Sequence, residues 1–212
     1  MGTTMLSATT TIGEIPEYYF QAVGSGTGAI AAWEANLRLI ADGRFGNKMM
    51  KLMVSQNHPF VPIMNAWNAN SRDMLLFDDE IARKEVEEID AKVLSNRKPP
   101  YPPVGGLFDA LTETKGEVLA ATNEEARMAA ELFLKHEGND VHPAAAVAVA
   151  TLIQAVNEKK VEPEAIVMLN ITGGGEERFK SGKTLHYLMP SEVFDINPSI
   201  EEVQAALDRI FR

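Results

Sequence analysis

The sequence predicts an α/β fold with a parallel sheet, and three observations carry that expectation. A strand-like run, Tyr18 to Val23, passes through Gly24-Ser25-Gly26-Thr27-Gly28 into an amphipathic helix. Apolar strand-like and helix-periodic segments then alternate along the chain. A second glycine-rich turn, Thr172-Gly173-Gly174-Gly175, closes another apolar run, and open α/β sheets hold their ligands at such C-terminal strand ends.

Taken in order, Thr3 to Ile12 is expected to form the end of a helix, with little chain before it. The strand from Tyr18 is of a buried type, so at least one of its neighbours is expected from outside the chain. Thr27 to Ala41 keeps Ile30, Trp33, Leu37 and Ile40 on one helical face. Ala41 to Gly46 is a stop, and Lys48 to Val54 reads as the second strand. Phe60 to Trp67, with Pro59 before it and Pro62 near its start, predicts a short helix. Asp78 to Leu94 predicts an exposed helix, with Ile81, Val86, Ile89 and Val93 as a thin apolar stripe and its carboxylates on a solvated face.

Ser95 to Gly106 holds four prolines in five positions, which stiffen it before a helix from Leu107 to Leu111. Glu117 to Thr122 is a strand, and Thr122 with Glu125 makes a capping box for the helix Glu124 to His136. Pro143 to Asn157, rich in alanine and valine, predicts a core helix. Glu164 to Ile171 is the last strand. A tail helix starts at Asn197-Pro198 or at Ser199, with Ile200, Val203, Leu207 and Ile210 on one face.

Composition narrows the function. A chain of 212 residues is long enough for one sizeable core, or is a large piece of a bigger domain. A net charge of -10 argues against nucleic acid, which needs a basic surface. No basic-then-apolar leader opens the chain, and Pro143 to Ile153 is too short to span a bilayer, so neither export nor a membrane is expected. The absence of cysteine fits a reducing cytoplasm and excludes thiolate metal sites and a cysteine nucleophile. The four histidines lack metal-ligand spacing: His136 and His142 are separated by Gly138, and no metal site is expected.

The first glycine stretch has the makings of an anion site. Glycines allow close approach of a ligand to the backbone, and the next helix presents free N–H groups and its positive dipole end. Gly24, Gly26 and Ala29 also satisfy the dinucleotide pattern G-x-G-x-x-G/A. That pattern expects an acidic residue at the end of the next strand, where Ser55-Gln56-Asn57 stands instead. A tight packing turn with no ligand, in a non-catalytic binding or assembly module, is the remaining alternative.

Tyr19-Phe20-Gln21-Ala22-Val23-Gly24-Ser25-Gly26-Thr27-Gly28 followed by Ala32-Trp33-Glu34 resembles the phosphate loop of fold-type-II pyridoxal phosphate enzymes of the threonine synthase group. Glu137-Gly138 with Pro143 to Ala146, and Leu169 to Gly175, resemble later landmarks of that group in the same order. The resemblance covers Met1 to about Leu188. It implies part of a three-layer sandwich, the C-terminal portion of the tryptophan synthase β-like large domain (residues 1–190), followed by a helical extension (191–212).

It also implies pyridoxal 5'-phosphate as cofactor. Gly24, Ser25, Gly26, Thr27 and Gly28 would bind its phosphate, and Thr172, with Asn170 as the alternative, would face the ring nitrogen. The family lysine that links to the cofactor belongs to the other half, and none of the 11 lysines here lies in such a context. No catalytic residue is therefore assigned, this stretch alone is expected to be inactive, and the missing N-terminal half and further copies of the chain are the expected partners. Val93 to Arg97, Pro99 to Tyr101 and Gly105 to Leu107 resemble a branch that exchanges the phosphate of O-phospho-L-serine for sulfite, giving L-cysteate for coenzyme M. Phosphohomoserine-to-threonine chemistry is the rival. Asn96 and Arg97, on the stiff loop, are the candidate grips for these anions.

Overall fold

The computed structural model describes residues 2–211. Among the described residues four strands form one parallel sheet in the order β3-β2-β1-β4. They are β1 (Tyr18–Ala22), β2 (Lys51–Asn57), β3 (Glu117–Ala121) and β4 (Val167–Leu169). The helices are α1 (Gly2–Ile12), α2 (Thr27–Asp42), α3 (Pro62–Asn68), α4 (Asp79–Glu88), α5 (Leu107–Glu113), α6 (Asn123–Glu137), α7 (Pro143–Asn157), α8 (Glu176–Lys180) and α9 (Ile200–Phe211). A 3-10 turn covers Lys92–Leu94.

Alternation along the strands separates two apolar layers. Tyr19, Leu52 and Val54 point into a core shared with Met5 of α1, Trp33 of α2 and Leu107 of α5. Tyr18, Phe20 and Met53 point the other way, toward Ala155 of α7. A period of two on a pleated strand requires this division, and it gives the expected three layers. The α7 helix is buried along most of its length, and its alanines let α6 and the sheet approach closely.

Three expectations need correction. Both neighbours of β1 come from this chain: Phe20 pairs with Met53 on one side and Leu169 on the other. The second strand is shifted toward the C-terminus. Lys48 and Met50 are withheld from the ladder because buried Asn36 donates to the Lys48 carbonyl at 3.1 Å and accepts the Met50 N–H at 3.0 Å. Ser55, Gln56 and Asn57, expected to follow the strand, lie within it and are fully buried. The helix expected over Asp78 to Leu94 stops at Glu88, since side chains from elsewhere take the next N–H groups. Asn123 accepts from Asp90 and Asn57 from Ala91.

The chain separates into two compact units, one ending at Arg178 and the other starting at Phe179. The second holds α9, with Glu202 capping the Ser199 N–H and Ser199 the Glu202 N–H, and an Arg209–Glu192 ion pair at 2.6 Å.

Candidate active site

In the strand order, β1 leads to β2 and β3 on one side while β4 lies on the other, so the chain changes direction between β1 and β4. Crevices form at such a switch point, beyond the carboxyl ends of the strands. A cavity of about 400 Å³ lies there, lined by Gly24 to Gly28 after β1, Asn170 to Thr172 after β4, and Tyr19 and Gln21 of β1.

Its first wall follows from local backbone chemistry. Gly26 is the N-cap of α2 at φ 79°, a left-handed conformation that glycine adopts without the usual Cβ penalty. Because Gly26 has no side chain, it caps none of the first-turn amides of α2, and the Thr27 N–H has a long bond to the Ser25 hydroxyl at 3.4 Å. First-turn amides and the positive end of the helix dipole together favour an anion at such a place. The Ser25 and Thr27 hydroxyls lie 3.0 Å apart beside them.

The second wall is held by the corner between α6 and α7. The His142 N–H donates to the Gly173 carbonyl at 2.9 Å, Gly175 donates to Asp140 at 2.8 Å, and Val141 bridges Gly174. Burial would raise the Asp140 pKa, but the N–H groups of Glu177 and Arg178 outweigh it and hold the carboxyl below its usual range. His142 Nδ1 also accepts the Ala144 N–H at 3.3 Å, capping α7.

Between the walls runs a polar chain. Asn170 Nδ2 donates to the Tyr19 hydroxyl at 2.8 Å, and that hydroxyl donates to Gln21 Oε1 at 2.8 Å. Burial pushes the Tyr19 pKa up to about 12, against the Asn170 hydrogen bond, so it remains a neutral donor. Asn170 Nδ2 is therefore engaged with Tyr19, and Thr172 lines the same wall. Tyr19 and Gln21 share a strand face by their i, i+2 spacing, a signal present in the sequence, but their link to Asn170 is not.

The structure thus brings together Gly24, Ser25, Gly26, Thr27, Gly28 and Thr172, as the sequence reading expects. Asn96 and Arg97 do not line the cavity. Their segment begins beside it, since a Cβ on Gly24 would lie 2.9 Å from the Val93 carbonyl. Asn96 Oδ1 instead accepts the Lys98 N–H at 2.9 Å, and Arg97 reaches Asp79 at 3.3 Å. Where a dinucleotide fold would place its ribose carboxylate stands Asn57, whose amide is spent on the backbone of Ala121 and Ala91. Among the described residues no cluster of metal-ligating side chains is found.

A phosphate-binding α/β enzyme portion is the class this arrangement defines, and the chain belongs to the pyridoxal-phosphate dependent enzyme family, whose model matches residues 1–173. It is 51% identical over 191 residues to a cysteate synthase of Methanosarcina barkeri, covering 90% of this chain and 46% of that protein. To the cysteate synthase of Methanoregula boonei it is 47% identical, covering 99% of this chain and 50% of the other. The chain spans about half the length of the curated relatives it matches.

Among solved structures, a fungal L-serine ammonia-lyase from Rhizomucor miehei superposes with a TM-score of 0.58 at 16% identity, over 84% of this chain and 55% of that one. Serine racemase from Dictyostelium discoideum gives 0.55 at 14%, over 82% and 48%. At such identities these matches speak for the fold alone, and they agree with the fold-type-II architecture.

Proposed function

We propose that the full-length enzyme is a cysteate synthase, exchanging the phosphate of O-phospho-L-serine for sulfite to give L-cysteate. The Cβ–O bond to phosphate breaks and a Cβ–S bond forms. One observation carries the assignment of this chain's part: the glycine loop and Thr172, 144 to 148 residues apart in sequence, open into one cavity. The identity to cysteate synthases supports the choice of substrate.

Pyridoxal phosphate, when bound, supplies an electron sink for charge developing at the substrate Cα. This chain's residues position that group. The N–H groups at the start of α2 and the Ser25 and Thr27 hydroxyls would hold its phosphate. The Thr172 hydroxyl would be the neutral partner of the ring nitrogen, and such a partner would leave that nitrogen largely unprotonated. The lysine that links to the cofactor comes from the rest of the full-length enzyme. Arg97 is the proposed grip for the leaving phosphate or entering sulfite through paired N–H donors; it does not line the cavity and would have to leave Asp79 to serve. The enzyme works in the cytoplasm, in keeping with a cysteine-free chain, and as a homo-oligomer.

The test supplies the full-length enzyme with O-phospho-L-serine or phosphohomoserine, with and without sulfite, and identifies the products. Cysteate from phosphoserine and sulfite is expected. Threonine from phosphohomoserine, without cysteate, would assign it to the rival chemistry.

A further inference from the structure

We infer that Gln21 is an additional phosphate-binding residue of this site, and that Tyr19 is the positioning residue that aims its amide N–H at the cofactor phosphate. The inference rests on the proposed phosphate site at the glycine loop.

The argument begins with hydrogen-bond direction. A phenol has one proton to give. Asn170 Nδ2 donates to the Tyr19 oxygen, and Tyr19 spends its own proton on Gln21 Oε1. The Gln21 oxygen is therefore occupied by a donor, which selects one of the two amide orientations and sends Nε2 the other way. Tyr19 cannot reverse this bond by ionising near neutrality, because its pKa is about 12.

The position of that nitrogen supplies the second step. A Cβ built on Gly28 would collide with Gln21 Nε2 before any other atom. Glycine at 28 thus makes room for the amide against the first turn of α2, where the anion is expected. Gln21 itself lines the cavity, and among the described residues its Nε2 has no hydrogen-bond acceptor. A neutral amide adds a donor without a cation, which suits a site built from backbone N–H groups.

The test measures affinities of the full-length apo-enzyme for pyridoxal 5'-phosphate and for pyridoxal, which lacks the phosphate. Gln21→Glu keeps an oxygen for the Tyr19 proton but replaces the N–H donor with a charged acceptor. Gln21→Met removes the donor without adding charge and serves should the glutamate variant fail to fold. For either, the Kd for pyridoxal phosphate is expected to rise by about tenfold, and that for pyridoxal to stay within about twofold. Tyr19→Phe frees the amide to turn, and a rise of about threefold is expected for the phosphorylated ligand alone.

Thr27→Asp, which puts a carboxylate on the loop itself, separates the two readings. Equal weakening of both ligands by the Gln21 variants would make Gln21 a packing residue and overturn the inference. Unchanged Gln21 variants beside a Thr27→Asp that weakens only pyridoxal phosphate would overturn it while leaving the phosphate site standing. If neither position discriminates between the ligands, the phosphate-site reading falls, and the inference with it.

Discussion

Asn36, buried in α2, accepts the backbone N–H of Met50 at 3.0 Å, and this bond sets where β2 begins. It ties the helix that follows the glycine loop to the strand next to β1. Removing the amide leaves the Met50 N–H and the Lys48 carbonyl without their partner. Asn36→Ala is expected to lower stability by about 2 kcal/mol, read from denaturant unfolding. A change below about 0.5 kcal/mol would show that water replaces the side chain.

Gly26 carries a conformational constraint and a steric one. At φ 79° an alanine is strained, and its Cβ would stand 2.7 Å from Leu107 Cδ2. Gly26→Ala is expected to cost about 1–3 kcal/mol and to weaken pyridoxal phosphate binding, since the loop must shift to relieve the contact. Thermal unfolding and cofactor titration of the full-length enzyme check both.

Glu17 links three segments, accepting from Lys48 and, at 2.8 Å, from the Ile166 N–H before β4. Burial would raise its pKa, but Lys48 and the Ile166 N–H outweigh it, and the net direction is below the ordinary 4.5. A carboxyl whose folded pKa is depressed contributes stability that is present above 4.5 and is lost as pH falls through its lower folded value. Stability of the wild type should thus decline in that acid window more steeply than that of Glu17→Gln. Parallel Tm profiles from pH 7 down to about 3 would remove Glu17 from the acid response.

Ala148, fully buried in α7, stands in a face of small residues packed against α6 and the sheet. Leucine there has no space to occupy without moving a neighbour. Ala148→Leu is expected to cost about 1–3 kcal/mol, seen as a lower unfolding midpoint. An unchanged midpoint would mean that the layer yields more easily than its close packing implies.

The Asp140 carboxylate accepts the Glu177 N–H at 3.2 Å beside the turn that carries Thr172. Asp140→Ala is expected to loosen that turn by about 1 kcal/mol while leaving the sheet intact. Hydrogen exchange should accelerate at Gly173 to Glu177 and remain slow in β1 and β2. Uniform acceleration across the sheet would show instead that the corner supports the whole fold.

Sequence alone determined the features whose causes lie within a few residues. The glycine loop between a buried strand and an amphipathic helix, the Thr122–Glu125 capping box, the bounds of α7, and the landmarks that relate the chain to pyridoxal phosphate enzymes are of this kind. The tertiary structure decided what depends on distant partners. Ser55-Gln56-Asn57 resembles a strand's end because polar side chains ordinarily avoid a core. It continues β2 because Gln56 accepts the N–H groups of Ile63 and Met64, and Asn57 reaches Ala121 and Ala91. Likewise Tyr19 meets Asn170 across 151 positions. A side chain's donor and acceptor groups are written in its residue type, but the group that satisfies them is chosen only when the sheet brings the strands together.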